Sequence, residues 1–161
     1  MFEGKTAVVT GAGKGLGQAM AVALARAGAK LIGVDIGDMT ETSRIIEENG
    51  GTFTAVNADL SKTGQIPELA KKLEGIYGKV DILVNNAGVI YRSPAEEYPE
   101  DGFDFVMNLN VKALFLLTRE IGGCMKQRGW GRIINVCSIQ SMQGGNGVSA
   151  YAASKHAVAG I

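Results

Sequence analysis

Short apolar runs alternate along this chain with longer segments in which apolar residues recur at helical spacing. Five runs read as strands: KTAVVT (5–10), KLIGVD (30–35), TFTAVN (52–57), VDILVNN (80–86) and GRIINVCS (131–138). Each is short, rich in Val and Ile and nearly continuous in apolar character, the pattern of a strand buried on both faces. Helix patterns fill the gaps. GQAMAVALARAG sets Met20, Leu24 and nearby alanines on one face and closes with Gly28, a C-cap candidate. TETSRIIEENG carries Ile45 and Ile46 and ends at Gly50. Segment 64–77 spaces Ile66, Leu69, Leu73 and Ile76 by three and four, and 101–127 reads as the longest helix, with Phe105, Leu109, Leu116 and Ile121 among its apolar positions. A last helix begins near Ser149.

Regular strand–helix alternation predicts an α/β fold with a parallel sheet covered on both faces. Right-handed crossovers then give a doubly wound, Rossmann-type sheet of order 3-2-1-4-5. At 161 residues the chain fits one domain, 1–161, and no repeat or linker divides it.

Composition narrows the function. Lys plus Arg equals Asp plus Glu at 16 each, with no basic stripe, which argues against nucleic acid as a partner. Cys124 and Cys137 form no CxxC and the chain has a single His, so no metal site is expected. Both thiols are expected to be reduced and buried, in a cytoplasmic protein. The N-terminus enters a strand almost at once, so no signal peptide is expected. AMAVALARAGAKLIGVDI, the nearest approach to a membrane helix, is broken by Arg26 and Lys30.

The first strand runs into TGAGKGLG, 10–17. A glycine-rich turn between a strand and a helix lets backbone N–H groups approach a pyrophosphate, which then faces the helix N-terminus. The spacing is GxxxGxG from Gly11 through Gly15 to Gly17, with Lys14 and Leu16 between. Asp35, followed by Ile36, ends the second strand eighteen residues after Gly17. An acid there can accept hydrogen bonds from an adenosine ribose and repels a 2′-phosphate, which favours NAD over NADP. Lys14 pulls the other way.

Asn85-Asn86-Ala87-Gly88 closes the fourth strand, Ser138 closes the fifth, and Tyr151-Ala-Ala-Ser-Lys155 opens the last helix. With TGAGKGLG, this ordered set resembles the short-chain dehydrogenase/reductase family, whose patterns are TGxxxGxG, NNAG, a serine after the fifth strand and YxxxK. The resemblance runs along essentially the whole chain. It implies a catalytic tetrad of Asn110, Ser138, Tyr151 and Lys155. It also implies that Asp59 and Leu60 lie near the adenine and that Asn86, Ala87 and Gly88 lie beside the adenine ribose and the central sheet. Tyr151 and Lys155 are four apart and share a helix face. A free tyrosine, with a pKa near ~10, is a poor base at neutral pH; a nearby ammonium favours the phenolate. Ser138 would hydrogen-bond the substrate oxygen, Lys155 would reach the nicotinamide ribose, and Asn110 would hold a water linking Lys155 to solvent. His156 points to another face.

DFVMNLNVKALF, NNAGVIYRS and SMQGGNGVSAYAASK resemble the branch of the family that oxidises deoxy-gluconates or reduces keto-deoxy-gluconates. Where that branch has an arginine able to hold a carboxylate, this chain has Gly147; Arg92 is a candidate substitute. Residues 139–149 are expected to line the substrate pocket. The resemblance implies an NAD-dependent oxidoreductase acting on a small secondary alcohol or ketone, as a homo-oligomer, tetramer or dimer. Two other readings are an NADPH-dependent 3-ketoacyl-type reductase and a non-catalytic nucleotide-binding or scaffold protein. The family continues well past YxxxK, so 1–161 is expected to be the N-terminal part of a longer protein.

Overall fold

A computed structural model describes residues 1–161. Five strands, β1 (Thr6–Thr10), β2 (Lys30–Asp35), β3 (Thr52–Asn57), β4 (Ile82–Asn85) and β5 (Arg132–Asn135), form one sheet of order β3-β2-β1-β4-β5. Every pairing is parallel, as the alternation predicts. The intervening helices are α1 (Gly15–Arg26), α2 (Thr40–Glu48), α3 (Ile66–Ile76), α4 (Glu100–Met107), α5 (Leu114–Arg128) and α6 (Ser149–Gly160).

The side-chain period of two along β1 sends successive residues to opposite faces. Val8 packs with Ile32, Val34 and Leu83 against Leu73, Leu117, Ile121 and Met125 of α3 and α5. Ala7 and Val9 pack with Leu31 and Val84 against Ala21, Ala25 and Ile46 of α1 and α2. The central strand is buried along its whole length, so its continuous apolar run is a consequence of having helices on both sides.

The outer strands depart from the pattern read in the sequence. β3 buries Phe53 and Val56 and leaves Thr52, Ala55 and Asn57 exposed, as an edge strand does. β5 is shorter than 131–138, and Ile133 and Ile134 are 37% and 48% exposed on its two faces. The expectation of burial on both faces fails there because β5 is the other edge. β4 is also shorter than 80–86. Ahead of its first ladder pair, the buried Asp81 carboxylate accepts the Thr6 N–H at 2.9 Å and pairs with Lys79 at 3.2 Å.

The single helix expected over 101–127 is three pieces. Between α4 and α5, Asn108–Ala113 winds as a wider π turn. That turn holds more residues than an α turn and shifts the apolar phase. Leu114, Leu117, Ile121 and Met125 face the core, Leu109 and Leu116 are half-buried, and Phe105 is exposed. The two thiols also differ from expectation: Cys124 is half-buried on the flank of α5, and Cys137 is exposed where the chain leaves the sheet edge.

Candidate active site

All five strands point their C-terminal ends at one side of the sheet, and β1 is the strand from which the order runs outward in both directions. A crevice must open where the connections leave β1 and β4 for opposite faces. A cavity of about 590 Å³ lies there. On the β1 side Gly11, Lys14, Leu16 and Gly17 form its wall. Asp35, Ile36, Asp59 and Leu60 line the far side, and Asn86, Ala87 and Gly88 the side toward β4. Gly15 belongs to the same loop but stands exposed, off the wall.

The glycine turn is held from three sides. Gly11 has φ +68°, a left-handed conformation that side chains disfavour. A Cβ at Gly17 would run into the Gly11 carbonyl oxygen, so the helix can begin this close to the strand only on glycine. The Thr10 hydroxyl accepts the Asn86 and Ala87 N–H groups, each at 3.0 Å, and donates to the Val84 carbonyl. Asn86 Nδ2 donates to the Thr10 carbonyl at 2.9 Å, tying the NNAG segment to the turn. Thr42 closes the third side by donating to the Ala12 carbonyl at 2.8 Å. Thr10 and Thr42 carry no role in the sequence reading. Thr10 was within reach, since it opens TGAGKGLG; nothing local marks Thr42.

Asp35 is fixed at the tip of β2. One carboxylate oxygen accepts the Gly13 N–H at 2.8 Å and the other the Gly37 N–H at 2.9 Å. The acid therefore presents its charge at a set place on the cavity wall.

A second cavity, of about 250 Å³, is lined by Tyr151 and Lys155 together with Leu16, Asn86 and Gly88, which also line the first. Val136 and Cys137 complete that side. Lys155 is 6% exposed, its Nζ donates to the Val136 carbonyl at 2.7 Å, and it stands 5.8 Å from the centroid of the Tyr151 ring. Burial pushes its pKa below the ordinary lysine value; nearby Cys137 acts in the opposite direction.

Ser138 caps the short 3₁₀ turn Ile139–Ser141, accepting the Gln140 N–H at 3.2 Å. It follows Cys137 but is not on the wall of this second cavity, and neither is any of residues 139–149. Met142 is 91% exposed.

Asn110 is buried inside the π turn, and its amide is committed. Oδ1 accepts the Val89 N–H at 2.8 Å; Nδ2 donates to the Val89 carbonyl at 2.9 Å and to Ser154 Oγ at 3.0 Å. Both Nδ2 protons are thereby used, and the side chain makes no bond to Lys155. Arg92 is exposed on the loop after β4, and its neighbour Ser93 donates its N–H to the Gly147 carbonyl at 3.1 Å. His156 is exposed, with Nδ1 2.9 Å from the Ala152 carbonyl.

A doubly wound sheet with a glycine-walled crevice at its switch point and a tyrosine–lysine pair on the adjoining cavity defines a dinucleotide-binding α/β fold. The chain belongs to the short-chain dehydrogenase family, whose profile matches residues 5–161. It is 48% identical, over 99% of its length and 63% of the relative's, to 2-dehydro-3-deoxy-D-gluconate 5-dehydrogenase of Bacillus subtilis strain 168. It is 37% identical to D-beta-hydroxybutyrate dehydrogenase of Cupriavidus necator, covering all of this chain and 63% of that one. Among solved structures it is similar to a candidate NAD(P)-dependent gluconate 5-dehydrogenase from Beutenbergia cavernae with NADP bound at low occupancy. The TM-score is 0.94 and the identity 45%, over 98% of this chain and 64% of that one. The chain spans about 63% of the length of the curated relatives it matches. No helix is long and apolar enough to cross a membrane.

Proposed function

We propose that this chain carries the cofactor cleft and acid–base pair of an oxidoreductase interconverting a secondary alcohol and a ketone, with a keto-deoxy or deoxy sugar acid as substrate. The observation that carries it is the shared wall: Leu16, Asn86 and Gly88 line both the crevice and the cavity holding Tyr151 and Lys155. The residues present fit a nicotinamide dinucleotide. Gly11 and Gly17 bring backbone to the crevice wall, and Asp35 offers fixed acceptors to a ribose. Gly11, Gly15, Leu16 and Gly17 would hold the pyrophosphate, Asp35 and Ile36 the adenosine ribose, and Asp59 and Leu60 the adenine, with Asn86 to Gly88 beside the adenine ribose. When bound, the nicotinamide accepts or gives the hydride.

The chain's own residues handle the proton. Tyr151 Oη takes the hydroxyl proton of an alcohol or gives one to a ketone. Lys155 uses one N–H on Val136, keeps two, and turns its charge toward the phenol and the ribose. Ser138 accepts from Gln140 and keeps its own hydroxyl proton for the substrate oxygen. Arg92, tethered next to the segment leading into α6, is the cation offered to a substrate carboxylate. Arg92→Ala should raise KM for the acid more than for a neutral alcohol. Relatives named for 2-dehydro-3-deoxy-D-gluconate support the substrate class.

The test is Tyr151→Phe. Turnover should fall at least ~100-fold with NADH binding retained; undiminished turnover would remove Tyr151 from this role. NAD is the proposed cofactor because the Asp35 charge opposes a 2′-phosphate. A second reading, NADP, is favoured by similar structures that hold it and by Lys14 on the cavity wall. Comparing kcat/KM for the two cofactors decides between them. Native mass spectrometry of the whole protein tests the proposed homo-oligomer.

A further inference from the structure

We propose that Ser154 is a positioning residue that sets the rotation of α6, and through it the placement of Tyr151 and Lys155. The inference rests on the reading of those two as the acid–base pair. Along α6, Ala150, Ser154 and Val158 recur every four residues and are 0%, 0% and 2% exposed. This inward stripe packs α6 beside α4 and the π turn. Tyr151 and Lys155 each follow a stripe residue by one position, about 100° further round the helix, and so face the cavity instead.

An apolar stripe resists rotation only weakly, because dispersion contacts are individually small and non-directional. Ser154 is the one polar group in that stripe, and each side of its hydroxyl has a defined partner. It accepts from Asn110 Nδ2 at 3.0 Å and donates to the Tyr151 carbonyl at 2.7 Å. Asn110 is in turn bonded at both ends of its amide to the backbone of Val89, the residue after NNAG. A directed chain therefore runs from Val89 through Asn110 and Ser154 to the carbonyl of Tyr151. It joins the loop that lines the crevice, the π turn and the first turn of α6. Turning α6 by even part of a residue breaks a buried hydrogen bond and moves the phenol off the cavity. Neither consequence requires Ser154 to touch substrate or cofactor.

The test compares Ser154→Ala and Ser154→Cys with wild type, measuring kcat, cofactor KM and stability. Cysteine keeps the buried volume while weakening both hydrogen bonds, and so separates packing from pinning. Both variants should lose about 10- to 100-fold in kcat, the scale of an ångström of misplacement, with cofactor KM changed less than about threefold. Adding Asn110→Ala to Ser154→Cys should cost less than the two single losses combined, since both cut one chain. Wild-type kcat in Ser154→Cys, whether or not Ser154→Ala folds, would reduce Ser154 to a packing residue and overturn the proposal. Tyr151→Phe run in parallel keeps the two failures apart. If it is inactive while Ser154→Cys is normal, only the pin falls; if it is fully active, the acid–base reading falls as well.

Discussion

The two sides of this sheet are built differently. From β3 to β4 the strands rest between two packed helical layers, and the crevice they end in is bounded by a glycine turn, the Thr10 hydroxyl and an aspartate clamped by two N–H groups. At β5, within residues 1–161, Ile133 and Ile134 are open to solvent. There Tyr151 and Lys155 are held by hydrogen bonds: Lys155 on Val136, Ser154 between Asn110 and Tyr151. A crevice that must receive a long, uniform ligand can be carved by burial. The proposed proton-transfer pair needs directional restraint, which apolar packing does not supply.

The comparison can be broken first at its packing. Ile32 is fully buried in the centre of the sheet, Ile134 half exposed at the edge. Ile32→Ala should destabilise by about 2–5 kcal/mol, and Ile134→Ala by less than about 1 kcal/mol, read from urea midpoints. Equal costs would mean that the edge is covered in solution.

A smaller effect is expected at the turn. Gly17→Ala forces a methyl group against the Gly11 carbonyl and should cost about 1–3 kcal/mol while weakening NADH binding, measured by fluorescence titration. Retained binding with full stability would mean that the turn yields.

The smallest effect is electrostatic. Burial lowers the pKa of Lys155 below its ordinary value of 10.5. The unfolded chain therefore binds more protons than the folded one between the folded value and 10.5. Below that window the cost of burying the charge is fully present; it is relieved as pH rises through the window. Stability of the wild type should accordingly rise with pH relative to Lys155→Met, whose difference curve isolates this group. A difference that does not vary with alkaline pH would mean that the ammonium is solvated.

The sequence made the β–α alternation legible because each central strand is an unbroken apolar run bounded by turns; β2 and β3 begin and end where the pattern placed them. At β5 the run RIIN says nothing about whether it has a neighbour on each side. The apolar pattern misled over 101–127, because a single helical period cannot describe a helix with a π turn inside it. Of the expected cleft residues, all but Gly15 reached the wall of the first cavity or the second, Asn110 and Ser138 apart. Motif spacing identifies which backbone comes close, and that is local information.

What the sequence by itself determined was the fold, the glycine turn and the pairing of Tyr151 with Lys155, since each follows from spacing within a single element or from the order of elements. Tertiary structure decided which polar groups those elements share. Thr10 meets Asn86 across 76 residues and Asn110 meets Ser154 across 44. Such contacts leave no periodic trace in the chain. They exist because buried donors and acceptors must find partners wherever the packed helices and strands happen to bring them.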